Sequence, residues 1–253
     1  MEELKEKGFV KTHRSGTTGI GKTLEDLLGI QENNVQGPDF ATYELKSARK
    51  NVASMITLFT RTPQPKGVIG TLLKTYGYPP RHKLTDIGDE VVKQPTLAKF
   101  IGIPELSHPA KSDERILHST VDAIKPNSMN FMIDLKDKVI YVKNKKNIDC
   151  YYTEAYIREA FERKYSDRLI VVEAEHKGSK KDEQFWFNTI KMYAGFDFQK
   201  FYNLISSGVI KLDLRIGQYP DGRPHDHGTG FRAYPRNLEE CFNKVETVMQ
   251  DAE

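Results

Sequence analysis

Gly37-Pro38-Asp39-Phe40-Ala41-Thr42-Tyr43-Glu44-Leu45-Lys46 is the stretch around which this sequence of 253 residues is organised. Its last four residues resemble a strand, in which alternate side chains share a face. Glu44 and Lys46 are therefore predicted to point to one side, and Tyr43 and Leu45 to point toward the core. Asp39 precedes them behind a proline that stiffens the turn. Two carboxylates and an ammonium are thus predicted to converge on a small volume.

These three groups favour one kind of chemistry. Paired carboxylates at a strand end are ligands for a hard cation such as Mg²⁺. A neighbouring ammonium can position or deprotonate an attacking water, or stabilise phosphoryl charge. The pattern Pro-Asp…Glu-x-Lys is typical of metal-dependent nucleases. The alternative is an ordinary edge strand with a solvated charged face, because charged residues are common and so short a motif also arises by chance.

The composition limits the class of protein. A hydrophobic content of 38% and a charged content of 29% suit a soluble globular protein with one sizeable core, in one domain or two. The net charge of +3 permits a polyanionic partner without requiring one. The two cysteines lie far apart, which argues against a zinc site or a disulfide scaffold and favours a reducing, intracellular setting. No apolar run approaches about 20 residues, and the first seven residues lack an apolar signal core, so no membrane association is expected.

Residues 16–23 form a rival motif, a full match to the phosphate loop G-x-x-x-x-G-K-[ST]. A helix is expected to follow it, with Leu24, Leu27 and Leu28 on its apolar face. However, a phosphate loop also needs a buried strand before it, and residues 11–15 are polar. A nucleotide hydrolase that uses residues 16–23 therefore stays an alternative. The same helix carries Glu25 at the rim of its apolar face, either as a surface residue or as a third carboxylate near Asp39.

The remaining elements are predicted from hydrophobic periodicity. Residues 55–59 are expected to form a strand beside the first one, and residues 129–142 a hairpin. The other predicted elements are helices over 153–164, 182–193 and 198–207, strands over 169–172 and 209–216, and a last helix from Asn237. In strand 209–216, Lys211, Asp213 and Arg215 are expected to face outward. Residues 64–127 cannot be placed. The mixed order predicts an α/β fold with one central mixed sheet.

Between the strand over 209–216 and the last helix lies a polar segment, 217–232, which is rich in glycine, histidine and arginine. It could be a surface loop, or a His-x-His metal site that has no third ligand nearby. Donors and acceptors on a loop that can enter a DNA groove suit the segment better.

Five blocks of sequence together resemble the MvaI/BcnI family of type II restriction endonucleases. They are residues 18–28, 38–46, 55–63, 213–217 and 225–232, and they occur in the order of that family. Gly230 departs from the alanine expected there. The family shares its core with the mismatch-repair endonuclease MutH, which also places a helical glutamate ahead of its Asp…Glu-x-Lys motif. The resemblance implies a restriction-endonuclease-like, MutH-like α/β core with a central mixed β-sheet flanked by helices, and it makes Glu25 a catalytic candidate.

The resemblance assigns the catalytic roles, and the chemistry of the side chains predicts the DNA contacts. A Mg²⁺-dependent cut in double-stranded DNA is expected, with Asp39 and Glu44 as metal ligands and Lys46 acting on the water. His225, His227 and Arg232 are expected to read bases, and Asp226 to fix a histidine tautomer or accept from a cytosine. Arg61 and Arg215 are expected to contact the DNA backbone.

The resemblance further implies a monomer that cuts one strand at a time in a short, nearly palindromic site with CC and GG ends. A cognate DNA methyltransferase and the cytoplasm of a prokaryotic cell are the expected setting. Residues 1–253 are expected to form one endonuclease unit, and two lobes around a DNA cleft are compatible with this. One lobe would hold about 1–63 with parts of the C-terminal half, the other would include 209–236, and 64–127 would be an insert. A catalytically inactive DNA-binding protein is a further alternative.

Overall fold

The computed structural model describes residues 2–30, 43–80, 114–145, 147–165 and 168–250. Asp39 and most of the stretch that precedes Tyr43 lie outside the described residues, and so does the middle of the segment 64–127. Among the described residues the strands form three sheets. None of the described helices is long and apolar enough to cross a membrane.

The first sheet carries the Glu-x-Lys pair. Its strands are β1 (Val10–Lys11), β2 (Tyr43–Arg49), β8 (Arg168–Lys177), β9 (Gln184–Ala194) and β13 (Lys244–Met249). β2 runs parallel to β8, whereas the other pairs are antiparallel, so the sheet is mixed. Helices α1 (Glu2–Glu6) and α2 (Gly19–Leu27) cover one face. Helices α4 (Glu154–Lys164), α5 (Phe198–Ser206) and α6 (Leu238–Cys241) belong to the core on the other face. The predicted mixed sheet with flanking helices is thereby confirmed.

A second five-stranded sheet was not predicted as a separate unit. It comprises β3 (Ile56–Thr60), β4 (Leu117–Val121), β10 (Ile210–Gln218), β11 (Pro224–Asp226) and β12 (Gly230–Ala233). β10 lies in the middle, with β4 on one side and β11 and β12 along the other. The prediction that β3 lies beside β2 is wrong, because β3 pairs with β12, where Phe59 faces Phe231 across the ladder.

The third sheet contains the predicted hairpin. β5 (Phe131–Lys136) and β6 (Val139–Asn144) are joined by Asp137 and Lys138, and β7 (Asn147–Tyr152) adds the third strand. Asp137 and Lys138 both have positive φ, as a tight two-residue hairpin turn requires. From the unplaced segment 64–127 come α3 (Val68–Tyr76) and β4, and both contribute buried residues to the core.

Two predicted helices are wrong. Residues 182–193 form a short 3-10 turn (Lys180–Asp182) and then β9, because Phe185 and Phe187 alternate into the core with a period of two. The last predicted helix stops at Cys241, and β13 follows. β13, which is rich in β-branched residues, pairs with the edge of β9 that does not pair with β8. This pairing between distant segments outweighs the helical spacing of the apolar residues.

One large apolar cluster joins the first two sheets. The rings of Phe59, Phe161, Phe201 and Phe231 contact one another at its centre, with centroids 5.2 to 6.1 Å apart. A smaller cluster under α1 and α2 includes Leu24 and Val172. The shared cluster fixes the position of the second sheet relative to the Glu-x-Lys strand.

Candidate active site and nucleic-acid interface

Strand β2 presents Glu44 and Lys46 on one face, as predicted. They pair with Leu169 and Val171 of β8, and both of these belong to the large apolar cluster. Leu45 points to the opposite face, where it packs on the cluster under α2. Glu44 is 0% exposed, and Lys46 lies beside its Oε1 atom. A fully buried carboxyl group thus lies beside the side-chain nitrogen of a lysine.

A second ammonium reaches the same carboxylate. Lys164, in the last turn of α4, donates from Nζ to Glu44 Oε2 at 2.9 Å. The two residues are 120 positions apart, and no sequence motif contains Lys164. Sequence reasoning predicted the helix but missed this residue, because the contact depends on how α4 packs against β2. Burial, and after it the charge of Glu44, raise the pKa of the neighbouring Tyr165 well above its usual value.

The Oε1 atom of Glu44 fits a cation. It is buried, and although Lys46 forms an ion pair with it, it accepts no hydrogen bond from any described residue. A buried carboxylate oxygen without a hydrogen bond is costly unless another ligand satisfies it. No group of three candidate metal ligands occurs within the described ranges, and Asp39, the predicted partner of Glu44, lies outside them. Glu44 therefore supplies one suitable oxygen ligand.

The motif over residues 16–23 does not form a phosphate loop, because helix α2 occupies most of it. It begins at Gly19, inside the motif, and the strand before it has two residues. Lys22 pairs with Asp26 at 2.8 Å, and the buried Thr23 hydroxyl donates to Gly19 O at 2.8 Å while accepting from His13 N. Hydrogen bonds from Lys22 and then His13 lower the pKa of Asp26. The lysine and threonine that would bind phosphate and metal thus stabilise the helix itself.

Glu25 lies on this same helix and is partly buried. α2 packs on the face of the sheet that carries Leu45, opposite to the face of Glu44 and Lys46. The predicted convergence of Glu25 on Asp39 involves a residue outside the described part of the chain, so it stays a prediction.

The polar face of β10 is organised by Asp213, which is 1% exposed. The prediction that Asp213 faces solvent is wrong, because neighbouring side chains cover it. Its carboxylate accepts from Thr120 Oγ1 at 2.9 Å and Arg215 Nε at 2.7 Å, and Arg232 Nε lies 2.9 Å away. Burial lowers the pKa of Arg232, and the charge of Asp213 partly offsets this effect. Two predicted DNA-binding arginines thus share one buried carboxylate.

His225 and His227 lie next to these arginines, in a hairpin formed by β10 and β11. The predicted loop is therefore largely a strand pair. The two Nδ1 atoms are 3.1 Å apart, and the His225 ring packs on Tyr219 with centroids 4.2 Å apart. His227 packs so closely on Gly217 that a Cβ atom there would lie 2.5 Å from Nε2. The backbone of β10 thus sets the position of the His227 ring.

Asp226 holds the turn between β11 and β12. Its Oδ1 accepts from the backbone N–H groups of Gly228 at 3.0 Å and Thr229 at 2.6 Å, and its Oδ2 accepts from Thr62 Oγ1 at 2.7 Å. These contacts give Asp226 a structural role. Its predicted contact with a histidine or a cytosine is not among them and stays a prediction.

Arg61 leaves β3 beside this surface. Its guanidinium stacks on Tyr156 at 3.7 Å and pairs with Glu159 Oε2 at 2.6 Å, and 15% of its side chain is exposed. Arg215 is more exposed, at 37%. Sequence reasoning missed His118 on β4, which faces Arg215 across the ladder. Partial desolvation and then the nearby Arg215 charge lower the pKa of the exposed His118. Its segment had no assigned element, so no sequence signal pointed to it.

We call this polar cluster of the second sheet the reading face, after the base-reading role predicted for His225, His227 and Arg232; its other residues are His118, Asp213 and Arg215. Helix α4 contacts both Glu44 and the edge of the second sheet. Glu159 on α4 pairs with Arg61, whose N–H donates to Thr229 O at 2.9 Å, and Lys164 at the end of the same helix contacts Glu44. The Glu44 carboxylate and Arg61, which follows β3, are thus both contacted by one helix.

Comparisons with known proteins agree with this arrangement. The model of the MvaI/BcnI restriction endonuclease family matches residues 1–242. The structure is similar to that of a complex of restriction endonuclease MvaI with its cognate DNA substrate, with a TM-score of 0.77, 28% identity, and coverage of 98% of this chain and 95% of that one. Its TM-score with MvaI in the absence of DNA is 0.53, at 27% identity and with coverage of 98% and 94%. No curated protein sequence gives a significant match.

Proposed function

Because this chain belongs to the MvaI/BcnI restriction endonuclease family and is thus a type II site-specific deoxyribonuclease, we propose that Mg²⁺ is the divalent metal it uses to cut double-stranded DNA. We also propose that it acts as a monomer on a short, nearly palindromic site with CC and GG ends. The observation that carries the catalytic assignment is the fully buried Glu44 carboxylate beside Lys46, with one oxygen that no described residue satisfies by a hydrogen bond.

The candidate catalytic residues would have separate roles at the scissile phosphate. Glu44 Oε1, with Asp39, would hold the cation, and Glu25 would tune this site from α2. When bound, the cation would neutralise charge that develops on the phosphate and promote ionisation of a water. Lys46 would hold the attacking water in line with the phosphorus–oxygen bond that breaks. Cleavage would leave a 5′-phosphate and a 3′-hydroxyl.

The reading face would supply sequence specificity. His225, His227 and Arg232 would contact base edges, and Asp226 would act through the turn that it holds or through a cytosine amino group. Arg61 and Arg215 would contact the backbone. The partial burial of Arg232 against Asp213 supports the base-reading role, because a guanidinium with a fixed orientation can discriminate a guanine edge.

The two sheets suggest a division of labour. A catalytic lobe would contain the first sheet, and a recognition lobe would contain the second. β3, which lies within residues 1–63, would belong to the recognition lobe, and so would β4 from segment 64–127. In a prokaryotic cytoplasm, a methyltransferase of the same specificity would protect the host DNA.

A plasmid digest tests the proposal. Incubation with and without Mg²⁺, followed by sequencing of the ends, should give defined cuts that need the metal. Glu44→Gln and Asp39→Asn should abolish cleavage but keep specific DNA binding, because recognition lies on the other sheet. Glu162→Gln, an exposed change on α4, is the control and should cut normally. Normal cleavage by Glu44→Gln would refute the active site.

The same digest separates the two alternatives. An inactive DNA-binding protein would bind its site without cutting, and the intact Glu44–Lys46 pair argues against this. A nucleotide hydrolase would show ATP turnover that Lys22→Ala abolishes. The ion pair of Lys22 with Asp26 argues against that activity.

A further inference from the structure

The two ammonium groups at Glu44 are held differently. Lys46 lies two positions along the same strand and forms an ion pair with Oε1 that lacks hydrogen-bond geometry. Lys164 comes from a separate helix and donates a hydrogen bond of ordinary length, 2.9 Å, to Oε2. The two oxygens of one buried carboxylate therefore have distinct partners.

The backbone that carries Lys164 is firmly anchored. Ile157, Ala160 and Phe161 of α4 are buried in the large apolar cluster. The next residue after the helix, Tyr165, is also buried and donates from its hydroxyl to Leu58 O at 3.0 Å. The side chain of Lys164 is 22% exposed. Its ammonium thus approaches Glu44 from a rigid support.

We propose that Lys164 is a positioning residue of the active site, which holds Glu44 through Oε2 and so turns Oε1 toward the cation. In this arrangement Lys46 is the ammonium that leaves Glu44 to hold the attacking water, whereas Lys164 stays. The inference rests on the proposed role of Glu44 in metal binding.

The arrangement has a distinctive consequence for metal binding. Among the described residues, two ammonium groups lie against the Glu44 carboxylate, so an arriving cation meets like charges. Removal of Lys164 lowers this repulsion but leaves the carboxylate free to rotate. A cation should therefore bind Glu44 at least as well, while the bound cation is less well aligned with the water and the phosphate.

The Mg²⁺ dependence of DNA cleavage by Lys164→Met tests the positioning role of Lys164. We expect the rate at saturating Mg²⁺ to fall about 10- to 100-fold, as for other residues that orient metal ligands, without an increase in the half-saturating concentration. Lys74→Met, in the last turn of α3, is the matched control and should behave as the wild type. A wild-type rate for Lys164→Met, or a raised half-saturating concentration with an unchanged maximal rate, would overturn the proposal.

A second measurement needs neither metal nor activity. Lys164→Met should lower the urea midpoint of the metal-free protein, because it removes the hydrogen bond to Glu44 Oε2. In a Glu44→Gln background the same change should have a smaller effect, since its ion pair with the Glu44 charge is gone. This double variant should fold even if Lys164→Met alone does not. Equal shifts in both backgrounds would show that Lys164 does not act through Glu44.

The two proposals can fail separately. If Glu44→Gln cuts DNA normally, the proposed active site is wrong. If Glu44→Gln is inactive while Lys164→Met has both the wild-type rate and the wild-type urea midpoint, the site stands and the role of Lys164 falls.

Discussion

The close packing of His227 on Gly217 links a single backbone position to DNA recognition. A methyl group at residue 217 would lie 2.5 Å from Nε2 of His227, so Gly217→Ala must displace the ring. If His227 reads a base, we expect affinity for the cognate site to fall by about 1–3 kcal/mol, with relaxed preference at one base pair. Binding to the site and its single-base variants measures this effect.

A double variant shows whether the ring is responsible. In a His227→Ala background, Gly217→Ala should cause no further loss of affinity, because the displaced group is absent. An equal loss in both backgrounds would mean that the substitution disturbs β10 itself.

The stability of the fold should depend on pH through His118. Partial desolvation and the charge of Arg215 lower the pKa of His118 in the folded state. In the pH range between this lowered pKa and the ordinary value of about 6.5, the unfolded chain therefore binds more protons than the folded chain. The contribution of His118 to stability is therefore complete above the ordinary value and is lost as the pH falls through the folded pKa. Urea midpoints should decline on acidification, and less steeply in His118→Gln. An unchanged slope in this variant would contradict the assignment.

Among the elements, the turn from β11 to β12 depends on one carboxylate. Asp226 accepts two backbone N–H groups and the Thr62 hydroxyl, which ties the turn to the end of β3. Asp226→Ala should destabilise the fold by about 1.5–3 kcal/mol, the range for hydrogen bonds to a charged group, and should weaken cognate DNA binding. Urea unfolding and DNA titration measure the two effects.

The tip of the same hairpin supplies the control. Asp221 forms an exposed pair with Arg223, so Asp221→Ala should change stability little. Similar losses in Asp221→Ala and Asp226→Ala would show that the turn does not depend on the hydrogen bonds of Asp226.

Elements with a clear local period could be predicted from the sequence, but their partners could not. Residues close together in the sequence determine three correctly predicted features: the alternation around Glu44 and Lys46, the hairpin at Asp137 and the apolar stripe of α4. The pairing of β3 with β12 and of β13 with β9 depends on residues far away in sequence. Lys164 and His118 escaped prediction for the same reason, because packing of α4 and β4 brings them to the site.

At the scale of the whole molecule, one apolar cluster contains residues of both β2 and β10, the strand at the middle of the second sheet. Helix α4 contacts Glu44 through Lys164 and contacts Arg61, beside the second sheet, through Glu159. Both proposed surfaces, for recognition and for chemistry, therefore belong to one chain. This arrangement supports the proposal of a monomer.

A monomer with one centre of Glu44 and Lys46 should cut one strand in each catalytic event. On a supercoiled plasmid with a single site, we expect nicked circles to accumulate before linear DNA, because the enzyme must turn round on the site to cut the second strand. Sedimentation of Glu44→Gln with a cognate duplex, which this variant should bind without cutting, should give one chain per duplex. A plasmid that lacks the site should stay supercoiled. Linear product without a nicked intermediate, together with two chains per duplex, would show instead that two copies cut in concert.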